Sequence, residues 1–220
     1  MENSTITTGI TNPFLQKHSV QIRVWHWITF LFISGSMITV LFASTLLNPE
    51  DNVGLVQEQL QKNGLTVTQD QAFAVSHEYE DKVWGVHKWI GIGLSFLLFS
   101  RLVIELVQPG EEKLRSRLKK AVGLYKQNDE NKSVYRHYIG VKTTYASFYL
   151  LLLCMALTGL GLAFGRDLGF SGGLHGAIKE IHSIGQYLMY AFALIHLGGV
   201  ITADNTETKG IVSGMINGNK

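Results

Sequence analysis

The chain has 220 residues, of which 46% are hydrophobic and only 16% charged, with 23 glycines and a mean hydropathy of +0.14. A soluble domain carries roughly 25% charged residues, so this composition excludes a disordered chain, a collagen-like repeat and a highly charged nucleic-acid binder. One cysteine, Cys154, excludes an intramolecular disulfide and any site built on paired cysteines.

Crossing about 30 Å of hydrocarbon takes roughly 20 helical residues. Trp25 to Leu47, Thr143 to Gly165 and Ile181 to Ala203 each run 23 residues without Asp, Glu, Lys or Arg. A fourth stretch, Val83 to Val107, is broken only by Lys88, Arg101 and Glu105. A backbone in lipid must satisfy its own hydrogen bonds, so these stretches are read as helices. The expected fold is all-α, an integral membrane four-helix bundle forming one membrane domain, with helices at about 22–47, 83–107, 139–165 and 177–203. Residues 1–21 are polar and lack a basic leader pattern, so the first span is read as retained.

The connecting segments set the expected orientation. Segment 108–137 holds eight basic residues against four acids, whereas segment 48–82 holds Lys62 and Lys82 against seven acids. Basic loops stay in the cytoplasm. The 108–137 loop and both termini are therefore expected inside, and the acidic 48–82 loop in the periplasm. Residues 110–132 read as an amphipathic, basic stretch at the membrane surface.

Ionisable groups within spans are rare and functional by default. Four of the eight histidines lie there, namely His26, His87, His182 and His196. Fourteen residues separate His182 from His196, about 40° short of four turns and about 21 Å of rise, so both lie on one face of the last helix at two depths. His87 matches His182 in depth on the outer side, and His26 matches His196 on the inner side. A lone histidine in a span is ordinarily a packing residue. Two cross-helix pairs at matched depths instead suit two bis-imidazole haems b, with all four histidines as axial ligands to iron. A transition-metal site would need three or four converging ligands, and here the ligands come in separated twos.

Arg101 follows His87 by the same 14 residues and shares its face. It is expected to neutralise a propionate of the inner haem, against the alternative of an i,i+4 ion pair with Glu105. On the inner side His18, Arg23, Arg136, His137 and Tyr138 are the polar groups near His196. His137 and Tyr138 are the candidates for a quinone contact, against a role as interface anchors. His77 and His175 fall outside the spans and are expected to face solvent.

Motifs in all four spans and in the tail carry a resemblance. Val24-Trp25-His26-Trp27 opens the first span, Trp84-Gly-Val-His-Lys-Trp89 the second, and Ala156-Leu-Thr-Gly159 lies in the third. Ile181-His-Ser-Ile184 and Leu194-Ile-His-Leu-Gly198 mark the fourth, followed by a tail from Thr208 to Gly218. Together they resemble the bacterial cytochrome b-561 and nickel–iron hydrogenase cytochrome b family, from about Gln16 to the end. The spaced histidines of the last span are the most specific part. The resemblance implies a four-helix bundle with two haems b, pairs His26–His196 and His87–His182, and quinone as an exchangeable substrate. It also implies a subunit passing electrons between a periplasmic redox partner and the quinone pool in the bacterial inner membrane. That partner would be a hydrogenase, another dehydrogenase or a c-type cytochrome. The acidic, glutamine-rich segment between the first two spans departs from the pattern. An alternative is a stand-alone haem b oxidoreductase passing electrons from a small substrate such as superoxide to quinone. It would need a basic, anion-attracting outer face, for which Lys82, Lys88, Arg166 and Lys179 are the available residues.

Overall fold

The computed structural model describes residues 19–107, 110, 113–127, 132–205 and 211–218. Among these residues seven helices follow in chain order: α1 Val20–Ser44, α2 Pro49–Lys62, α3 Gln69–Val107, α4 Leu114–Gln127, α5 Lys132–Phe164, α6 Gly172–Asn205 and α7 Ile211–Ile216. Among the described residues there is no strand. Of the helices among the described residues, four are long and apolar enough to span a membrane: α1, α3, α5 over Tyr138–Phe164, and α6. Their large apolar side chains are mostly exposed, Leu102 to Val107 and Leu194 to Leu197 among them, as expected of surfaces solvated by lipid tails rather than water. The chain is therefore an all-α, multi-pass membrane protein.

The acidic segment 48–82 departs from an irregular loop, because most of it is helical. Asn48 caps α2 by accepting from Glu50 N at 3.0 Å, and Pro49 occupies the first turn with two acids. These are start signals that need no apolar periodicity. The first 14 residues of α3, Gln69–Lys82, are polar turns continuous with its span. Ion pairs at i,i+4 run along both helices, Glu58–Lys62, His77–Asp81 and Glu78–Lys82. At 1.5 Å per residue the 39 residues of α3 extend about 58 Å, about twice the hydrocarbon thickness.

Contacts group the chain into two compact units. One lies within Trp25–Val103 and Leu150–Tyr187. There α1 meets α3 where Phe32 covers Gly93 and where Trp25 Nε1 donates to Leu97 O at 3.3 Å. Lys88 of α3 donates to Ala163 O near the end of α5, at 3.1 Å, and its ammonium lies 4.9 Å from the Phe164 ring centre. Met155 of α5 packs on Gly185 of α6. Leu98, Leu152, Ala43 and Ala72 are the buried apolar residues of this unit, together with Val53 of α2.

The other unit lies within Met1–Val24, Ile104–Tyr149 and Leu188–Lys220. The carboxylate of Glu105 accepts from Leu114 N at 2.6 Å and so caps α4, the basic helix expected at the membrane surface. Lys113 donates to Leu106 O at 3.0 Å. Arg23 donates to Ile216 O of α7 at 3.3 Å. Phe148 of α5 stacks on Phe192 of α6 with centroids 4.7 Å apart.

Candidate functional site

His87 and His182 come together. Their ring centroids are 6.4 Å apart, with the ring planes at 90°, and both side chains are half-buried. Two imidazoles bound on opposite sides of one metal each place a nitrogen about 2 Å from it, and about 1 Å more to each ring centre brings the centroids to about 6 Å. The observed gap is therefore the width of two imidazoles with an iron between them. Half-buried histidines are a donor set suited to haem iron. On these two observations, spacing and donor chemistry, the residues fit the group.

The surroundings of the two rings are alike. His87 Nδ1 lies 2.9 Å from Thr39 Oγ1 of α1, with Ser36 Oγ at 3.5 Å. His182 Nδ1 lies 2.8 Å from Thr158 Oγ1 of α5. The edge of Trp84 meets His87 at 5.5 Å between centroids. A Cβ on Gly159 would stand 3.2 Å from His182 Cε1, so the glycine leaves the ring its room.

His26 belongs to the same unit and sits half-buried on α1, edge-on to Trp27 at 5.4 Å. Arg101 is half-buried on α3 in that unit. Its sequence neighbour Glu105 is engaged in capping α4. His196 lies in the other unit, stacked on Phe192 at 5.9 Å with planes 7° apart, so that Phe148, Phe192 and His196 form a continuous ring stack. In that unit Tyr138 is half-buried, with Lys142 Nζ 5.3 Å from its ring centre. His137 falls on α5, but its side chain lies outside the described residues, as does all of His18. His77 is exposed and paired with Asp81 at 3.1 Å, whereas His175 is half-buried in the first turn of α6 rather than solvated. Its helix begins earlier than the apolar run because Ser171 caps the turn, accepting from Leu174 N at 3.3 Å.

Sequence reasoning missed Thr39 and Thr158. A signal for the first exists: Thr29, Ser36 and Thr39 fall within about 80° of one another on a helix wheel, a polar stripe on a largely apolar helix. Thr158 sits inside the Ala-Leu-Thr-Gly segment, one residue before the glycine that accommodates His182.

Among the described residues, four helices long and apolar enough to span a membrane and a facing cross-helix pair of imidazoles come together in one chain. A family model described as prokaryotic cytochrome b561 matches residues 17–218. The chain belongs to the prokaryotic cytochrome b561 family. No curated protein and no solved structure matches it at a significant level. Membership makes it a membrane b-type cytochrome of electron transfer, with haem b as its cofactor.

Proposed function

We propose that the chain transfers electrons between a periplasmic redox partner and the quinone pool of the bacterial inner membrane, as one subunit of a larger oxidoreductase. His87 and His182 hold one haem b, and their 6.4 Å ring separation is the observation that carries the reading. His26 and His196 hold a second, on the strength of helical spacing and the family resemblance. When bound between two imidazoles, a haem supplies a one-electron carrier with no open coordination position. The protein's part is then to hold the ligands, keep the dielectric low and shape the potential. Thr39 and Thr158 restrain the two imidazoles at Nδ1, and Trp84 screens His87. Arg101 serves an inner propionate, while His137 and Tyr138 serve the quinone, with the basic 108–137 segment in the cytoplasm. A stand-alone role with a small anion is less well supported, since Lys88 is committed to the Ala163 carbonyl and segment 48–82 is acidic.

A dithionite-reduced minus oxidised spectrum of the purified chain, with haem quantified against protein, tests the reading. Two haems b per chain are expected, and His87→Ala and His26→Ala each remove one. A folded, haem-supplied preparation without haem overturns it.

A further inference from the structure

Thr39 and Thr158 approach the two facing histidines from two different helices, each at the ring's Nδ1. A neutral imidazole has one N–H donor and one lone-pair nitrogen, and only the lone pair can bind a metal. Which nitrogen carries the proton follows from the hydroxyls. A threonine hydroxyl has one hydrogen to give. Thr39 gives it to Ser36 O, 2.7 Å away, and Thr158 gives it to Cys154 O, also 2.7 Å away, with Met155 O at 3.2 Å. Were either hydrogen turned to the histidine instead, a hydroxyl and a carbonyl oxygen would face each other at 2.7 Å with no hydrogen between them. Each hydroxyl therefore meets its histidine with a lone pair, and Nδ1–H of the histidine donates.

We infer that Thr39 and Thr158 are positioning residues: they hold His87 and His182 in the tautomer that leaves Nε2 free for iron, and they strengthen both ligands by accepting their Nδ1–H bonds. The inference rests on the reading of these histidines as haem ligands. A ligand imidazole that donates its second N–H is more basic and favours the oxidised metal, and loss of such a partner typically lowers metal affinity about ten- to a hundredfold. Two threonines acting on one iron, from α1 and α5, would make this haem's potential depend on both helices at once.

The test uses the full chain with haem bound. Thr158→Val and the double variant Ser36→Ala/Thr39→Val remove the acceptors at nearly constant volume, Ser36 being included because its hydroxyl lies within reach of the same nitrogen. In a redox titration, one of the two one-electron waves is expected to move to higher potential while the other stays. A tenfold change in relative affinity for oxidised over reduced haem corresponds to about 59 mV. Haem retention at that site falls about tenfold or more, and Thr39→Ser and Thr158→Ser restore both properties. Folded valine variants whose two waves and low-spin electron paramagnetic resonance signals match the wild type overturn the inference. His87→Ala separates the two levels. If that variant keeps both haems, the ligand reading fails and takes the inference with it; if it loses one while the valine variants titrate like the wild type, only the inference fails. Should the valine variants not fold, the oxidised wild type answers directly. After exchange into deuterium oxide, the Nδ1 deuterons of this haem's ligands are expected to show the reduced quadrupole coupling of a formed hydrogen bond, and unreduced coupling overturns the inference.

Discussion

Gly159 has a role that the close packing of helices does not explain. The Cβ of an alanine there would press on His182 Cε1 at 3.2 Å, tighter than relaxed packing allows, while the neighbouring Thr158 holds the same ring by Nδ1. Gly159→Ala is expected to displace the ring by a few tenths of an ångström and weaken haem retention at one site only, which haem stoichiometry and the low-spin spectrum would report. Gly93 is a glycine of the ordinary kind, because a Cβ there runs into the Phe32 ring. Gly93→Ala should cost about 1–3 kcal/mol by overpacking α1 against α3, visible as a lower melting temperature in detergent with the haem spectrum unchanged. Arg101→Leu removes a positive charge assigned to a propionate. The expected outcome is one wave moved to lower potential, on the order of 59 mV for a tenfold effect, and an unmoved wave would end that role.

Helix ends in this protein are set by polar contacts more than by where the apolar runs stop. Asn48 and Pro49 start α2, Ser171 starts α6, and Glu105 starts α4 from the end of the preceding helix. Asn48→Ala removes the cap and should destabilise α2 by about 1 kcal/mol, read as faster amide exchange confined to 49–62. Lys88 shows the same logic at a C-terminus: donating to Ala163 O, it satisfies one of the carbonyls that the last turn of α5 leaves open. A charge inside a span that looked like a guide for anions is thus a capping residue.

For the molecule as a membrane protein, the asymmetry of its connecting segments predicts an orientation. In a Cys154→Ser background, Gln57→Cys should react with a membrane-impermeant maleimide added outside intact cells, and Lys120→Cys should react only after permeabilisation. The reverse pattern would place the acidic helices in the cytoplasm and overturn the proposal of a periplasmic partner docking on them. The polar length of α3 bears on the same question. About half its 58 Å exceeds the hydrocarbon layer, and on the proposed topology the acidic turns 69–82 are the part expected to stand outside it. Surface charge of this kind acts mainly on association rate.

The spans, their number and the histidines they carry were legible in the chain because lipid imposes one rule on every residue of a crossing. The rule demands about 20 uncharged residues in a helix, and any ionisable group that survives there stands out. That His87 and His182 meet was legible for a related reason, since fixed rise per residue turns sequence position into depth. The helical character of 48–82 was only partly so: its Asn-Pro-Glu-Asp start can be read, but its polar faces carry no apolar period to follow. Thr39 and Thr158 were not legible as partners of the histidines. A threonine in a span commonly bonds its own helix carbonyl, as both do here, and nothing along the chain says what its remaining lone pair meets. That depends on the rotation of α1 against α3 and of α5 against α6, which arises from side chains packing across helices and has no counterpart in the linear order.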